Sequence, residues 1–184
     1  YVAHLLKHKY GMNPLTVTWA PNLVTDWGRK NFDAWIASGQ DNILVTPNVR
    51  THRLLTRLAV DNLFHPFQPF IFGQKSLAPR IAAQFGIQLI FYGEHEAEYG
   101  SPIKSNDFSI QDNKFFSKDD TSKLFFGGTE YAALIEDFGI KPSEMAFYIP
   151  VDKNEIEDRG IVSHYFGYYV KWHPQSAYYF AREV

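Results

Sequence analysis

No cysteine occurs among the 184 residues. That excludes a disulfide framework and a Cys-based zinc site, and it is compatible with the cytoplasm. Long hydrophobic runs are absent as well: no stretch approaches the roughly 18 apolar residues that a membrane span needs. No secretory signal sequence is predicted. Neither sign of charge is in excess. A net charge of -2 gives no reason to expect a nucleic-acid partner or an anionic membrane. The phosphate-loop pattern G-x-x-x-x-G-K-[ST] and the dinucleotide pattern G-x-G-x-x-G are both lacking. No serine has a nucleophile-elbow context, since Ser38-Gly39 merely ends a helix.

What is present is an ordinary globular composition. The chain is 45% hydrophobic and 21% charged, and long enough for one domain with a sizeable core. Aromatics reach 17% and cluster late in the sequence. The chain opens with Val2, Leu5 and Leu6 at helical spacing, with no cap before them and Gly11 as the stop. The reading is a helix already in progress, hence a fragment beginning inside an element.

Leu15 to Trp19 is β-branched and aromatic, a strand ending at Ala20-Pro21-Asn22. Asp26 is expected to cap a helix with Phe32, Trp35 and Ile36 on one face, closed by Gly39. Ile43 to Thr46 is a second strand, stopped by Pro47. Asn48 is expected to cap a helix with Leu54, Leu55, Leu58 and Ala59 inward. From Phe67 to Phe85 the pattern is helical, but Pro69, Gly73 and Pro79 predict a broken or kinked pair. Gly86 ends it, and Leu89 to Tyr92 form a third strand.

The strands are short and nearly uninterrupted in hydrophobicity, as in a parallel sheet covered on both faces. The expected class is α/β, with a doubly wound, mostly parallel sheet in a single domain spanning 1–184. A polar stretch at about 101–127 reads as a lid-like insertion. Thr129 to Phe138 reads as a helix closed by Gly139, Ile161 to Phe166 as a strand, and Pro174 as the opening of a last helix.

In open α/β sheets, ligands sit beyond the carboxyl ends of the strands. Those positions hold Trp19 to Asn22, Thr46 to Asn48, Gly93 to Glu96 and the region after Phe166. Gly93 permits close approach of the backbone to a ligand. Glu94 at a pocket rim suits a ribose hydroxyl, a magnesium ion or a substrate amine. Charge runs are usually solvated faces, so for Glu94 to Glu98 alone a plain turn with solvated carboxylates is the favoured reading. Adjacent residues on an extended chain point to opposite sides, so Glu94-His95-Glu96 does not predict a permanent metal site. Lys75 suits phosphate as a point charge, or is a surface lysine on a broken helix. Trp172 suits stacking on a base or sugar, or belongs to an amphipathic core edge. From the residues alone the expectation is an α/β domain with a pocket at the strand ends.

Four segments in register carry a resemblance. They are Lys9 to Asn31, Pro69 to Lys75, Leu89 to Glu94 with Glu98-Tyr99-Gly100, and Gly167 to Trp172. Their order and spacing resemble the N-acetyl sugar amidotransferases of bacterial surface-polysaccharide, lipopolysaccharide O-antigen and flagellin-sugar biosynthesis. The resemblance implies an adenine nucleotide alpha-hydrolase fold, Rossmann-like and related to the ATP pyrophosphatases. It implies that ATP, with Mg2+, activates the acetamido oxygen of a nucleotide-linked sugar as an adenylate. Ammonia then displaces AMP and leaves an acetamidino group. A glutaminase subunit would supply the ammonia, beside a cyclase-like companion.

The family's pyrophosphate loop, S-G-G-K-D-S, lies between its first strand and first helix. This chain starts at that helix, so the resemblance implies that the loop, the central strand and an upstream cysteine-bearing segment are missing from it. It also assigns roles. Glu94, Lys75 and Lys171 are the expected catalytic residues. Trp19, Asn22, Thr25, Asp26, Gly93 and Glu94 are expected on the nucleotide. Gln74, Glu98, Tyr99 and Trp172 are expected on the sugar. The other readings are a different ATP pyrophosphatase, such as a tRNA-modifying or amide-forming ligase, and a non-catalytic nucleotide-sugar-binding module.

Overall fold

A computed structural model describes residues 1–21, 23–94, 108–111, 117–118 and 124–183, with only the backbone at 117–118. The first half alternates helix and strand as expected: α1 (Val2–His8), β1 (Leu15–Trp19), α2 (Asp26–Ala37), β2 (Asp41–Val45), α3 (Val49–Leu63), α4 (Gln68–Phe85) and β3 (Leu89–Tyr92). The second half uses smaller pieces. These are β4 (Ser117–Lys118), β5 (Phe125–Phe126), β6 (Thr129–Glu130), α5 (Tyr131–Glu136), α6 (Pro142–Met145), β7 (Val151–Asp152), α7 (Lys153–Asp158), β8 (Val162–Tyr165) and α8 (Pro174–Glu183).

The class is mixed α/β with short parallel pairings. β1 pairs with β2 in parallel, Leu15 opposite Asp41 through Trp19 opposite Val45. β3 pairs in parallel with β8, Leu89 opposite Val162 through Tyr92 opposite Tyr165. β4 pairs in parallel with β7, and β5 with β6 makes an antiparallel hairpin. Among the described residues the two longer pairs are not hydrogen-bonded to each other. Among the described residues the longer strands thus form two separate parallel pairs. No helix among the described residues is long and apolar enough to cross a membrane.

Several local expectations need correction. The segment 67–85 is one helix, not a broken pair. Pro69 falls in its first turn, where a missing N–H costs nothing because that group has no helical partner anyway. Pro79 lies inside the helix and removes the bond that its N–H would have given the Lys75 carbonyl. The Tyr92 hydroxyl donates to that carbonyl instead, at 3.5 Å. The cap of α2 is Thr25, whose Oγ accepts from the Gly28 N–H at 3.0 Å, rather than Asp26. Asn48 caps α3 as its sequence context predicts, accepting from the Arg50 and Thr51 N–H groups. Thr129 belongs to a strand, and the helix begins two residues later.

The strands are also less uniform than their hydrophobicity implies. Leu15, Val17 and Trp19 of β1, with Ile43 and Val45 of β2, pack on the core. Thr16, Thr18 and Asn42 alternate with them and hydrogen-bond to one another. This is the period-2 pattern of a half-buried sheet.

α4 organises the molecule. The main core gathers Leu55 and Leu58 of α3, Leu77 and Ile81 of α4, Phe126, Leu134, Met145 and Tyr148 around Trp19. A second cluster joins Ala82 and Ala83 of α4 to Ile90, Val151, Ile156 and Ile161. Trp19 lies so close to α4 that a Cβ on Gly73 would collide with the indole. Glycine at 73 is what admits the ring.

Candidate functional site

A cleft of about 830 Å³ runs between β1 and β3. α4 lines one side of it through Ile71, Leu77, Ala78 and Ile81, and α1 lines another through Val2, Ala3 and Leu6. Trp19, at the carboxyl end of β1, rests on Gly73. Tyr92, at the carboxyl end of β3, reaches the Lys75 carbonyl. Gly73 and Lys75 are in the same stretch of α4, so both strand ends open at one mouth.

Five of the sequence-predicted residues line this cleft: Trp19, Gln74, Lys75, Gly93 and Glu94. Lys75 and Glu94 are its only charged lining residues among those described. Gly93 and Glu94 are exposed at the end of β3, and Lys75 is half-buried in the same lining. Trp19 is buried, at 6% exposure, and stands edge-on to Tyr148 at 5.3 Å between ring centres. Packing therefore accounts for most of its surface.

The remaining calls fall elsewhere. Thr25 and Asp26 start α2 and do not line the cleft; the Thr25 hydroxyl is engaged as the cap. Lys171 and Trp172 lie between β8 and α8, exposed and outside the cleft lining. Asn22, Glu98 and Tyr99 lie outside the described residues, as does most of the lid-like stretch, 101–107, 112–116 and 119–123.

Among the lining residues that escaped the sequence reading are Tyr92, Tyr165 and Gln111. Tyr92 and Tyr165 are neighbours in register on β3 and β8. Burial, with a smaller contribution from Tyr165, pushes the Tyr92 hydroxyl far above the ordinary phenol range, so it stays protonated and donates. Gln111 is held by its N–H to the Ser163 carbonyl at 2.8 Å. Its side-chain Oε1 is buried with no hydrogen-bond partner among the described residues. An aromatic in a strand reads as core, and a glutamine in a polar stretch reads as surface. Neither carries a signal that sequence spacing can resolve.

A second polar constellation sits on α3, near the end of β2. Glu144 accepts from Asn48 Nδ2 at 2.7 Å, from Thr51 Oγ1 at 3.3 Å and from the Lys141 N–H at 2.9 Å. His52 Nδ1 lies 2.8 Å from the Tyr148 hydroxyl. Burial raises the Tyr148 pKa and lowers that of His52, so the phenol donates to a neutral imidazole. These carboxylate contacts tie α3 to α6 and satisfy the acid locally, a structural role.

Compared with known proteins, the chain matches no family model, and no curated sequence matches it.

Proposed function

We propose that the chain is the ATP-dependent synthetase part of an N-acetyl sugar amidotransferase. It would convert the acetamido group of a nucleotide-linked sugar to acetamidino, with ammonia from a glutaminase partner. The observation that carries the reading is the shared mouth: Gln74, Lys75, Gly93 and Glu94 line one cleft at the carboxyl end of β3. That is where α/β sheets bind ligands.

The donor set suits a nucleoside triphosphate. The Lys75 ammonium offers a point charge for phosphate, and the exposed Glu94 carboxylate offers an oxygen ligand for Mg2+. ATP supplies the adenylyl group that turns a poorly reactive amide oxygen into a leaving group. The chain's own residues then bind and orient. Gly93 lets the backbone approach, Lys75 offsets phosphate charge, and Gln74 hydrogen-bonds the sugar or its acetamido group.

Glu94→Gln in the protein assembled with its glutaminase tests this. Amidino-sugar formation should fall by about 100-fold or more, with the far-UV spectrum unchanged because residue 94 is exposed. Turnover within twofold of the parent would refute the assignment. A non-catalytic nucleotide-sugar-binding module is the second reading. It is favoured by the exposed aromatics Tyr168, Tyr169 and Trp172. Calorimetric titration separates the two: sugar-nucleotide binding without ATP binding selects the module.

A further inference from the structure

The wall of the cleft formed by β3 and β8 carries a polar group that the fold does not explain. Residues 109–111 lie antiparallel along β8. The Tyr165 N–H donates to the Ser109 carbonyl at 2.9 Å, and the Gln111 N–H donates to the Ser163 carbonyl at 2.8 Å. Ile110 bridges His164 between them. Opposed residues of such a pair share a face, so Gln111 projects on the side of Ser163 and Tyr165. By the register of β3 with β8, that is also the side of Ile90 and Tyr92. Gln111, Tyr165, Ile90 and Tyr92 all line the cleft.

Gln111 is 4% exposed, and its Oε1 has no hydrogen-bond partner among the described residues. Ser163 Oγ, its neighbour across the pair, has none either. An amide oxygen buried without a donor weakens a fold, and an apolar side chain of similar shape would not. A glutamine in this wall is accounted for when the ligand supplies the missing donor.

The surroundings select the donor. The glutamine amide is neutral, and Ile90, Tyr92 and Tyr165 lie on the same face. A charged or many-hydroxyl group would lose its hydration there without replacement. A secondary acetamide brings one N–H and an apolar methyl. Its orientation follows as well. Gln111 is level with Ile90, two residues or about 7 Å behind Tyr92 and the mouth. A trans amide points its N–H and C=O in opposite directions. An acetamide whose N–H meets Gln111 therefore turns its oxygen outward, toward Lys75 and Glu94.

We propose that Gln111 is a specificity-determining residue of the cleft: its side-chain oxygen accepts the acetamido N–H of the nucleotide-linked sugar and aims the acetamido oxygen at the mouth. This role rests on the proposed function and gives the sugar's acetamido group a named partner.

The test titrates two probes into the protein. One is UDP-N-acetylglucosamine. The other is its analogue with an O-acetyl ester in place of the acetamido group, which keeps the carbonyl and methyl and loses the N–H. The parent should bind the amide about tenfold or more tighter than the ester. Gln111→Leu should bind both within twofold. Its Tm without ligand should equal or exceed the parent's, because the unpaired amide is gone. Gln111→Asn, one methylene shorter, should lose most of the preference while keeping the amide. Equal preference in the parent and Gln111→Leu, with amidino sugar still formed, would overturn the role of Gln111 and leave the proposed function standing. Neither probe bound and no amidino sugar formed by the parent would overturn both. A crystal structure in which water, rather than the bound probe, links Gln111 Oε1 to Ser163 Oγ would make the pair a hydration site and overturn the role as well.

Discussion

The β1–β2 and β3–β8 pairs rest on the same helix by different means. β1 docks through one large ring: Trp19 lies against Gly73 and edge-on to Tyr148. β3 docks through small residues, with Ile90 against Ala82 and Ala83, and through the Tyr92 hydroxyl on the Lys75 carbonyl. Their far faces differ more. On β1–β2, Asn42 Nδ2 donates to Thr16 and Thr18 at 2.8 and 2.9 Å. On β3–β8, Phe91 meets His164, Phe166 and Tyr169 at 5.7 to 6.0 Å. A shared helix thus dictates an apolar near face in both pairs and leaves the far face free to be polar or aromatic.

The sharpest way to break the comparison is Gly73→Ala. The added methyl meets the Trp19 ring in a packed core, so the cost should be about 3 kcal/mol. Urea unfolding measures it, and amide exchange should loosen β1 and β2 before β3 and β8. Equal loosening of both pairs would mean that α4 moves as a whole.

Acid should weaken the same half. Burial holds the His52 imidazole neutral and its pKa below the ordinary value. In the unfolded chain that value returns to about 6.5. As pH falls below it, the unfolded chain takes up a proton that the folded chain does not. Stability is therefore lost progressively until the lowered folded pKa is reached, and is constant below that as far as this group is concerned. His52→Gln should flatten this part of the stability curve as pH falls below about 6.5. An unchanged slope would assign the acid response to other groups.

The smallest effect belongs to the β3 side. Tyr92→Phe removes a long hydrogen bond to a carbonyl that Pro79 leaves without its helical donor, and should cost about 0.5–1 kcal/mol. Hydrogen exchange within α4 would register it. A loss several times larger would make Tyr92, rather than the alanine surface, the main anchor of β3.

Much of the first half was legible in the sequence because its signals are local. β1 and β3 were bounded to the residue by β-branched and aromatic runs between turn formers. Asn48, with its side-chain oxygen two residues before Arg50, announced the start of α3. The errors share a cause. Pro79 reads as a helix breaker, yet α4 continues through it because its flanks are buried in both clusters. The run from Ile140 to Gly160 holds α6, β7 and α7, each of six residues or fewer. Elements that short have no period to read and exist through their contacts: Met145, Ile156 and Val151 are buried in the two clusters.

The candidate site divides in the same way. Gly93 and Glu94 were visible because a strand stopped at a glycine and a carboxylate. Their meeting with Gln74 and Lys75 depends on α4 being unbroken, which no local signal reports.

The sequence by itself determined where chain direction changes and which strand residues face inward, because turn chemistry and side-chain alternation act within a few residues. Only the tertiary structure decided that β1 and β3 are not paired with each other among the described residues, and that Lys75 and Glu94 line one cleft. Those outcomes come from burial against α4. Burial couples residues far apart in the chain, and it acts through shape and area rather than through any pattern along the sequence.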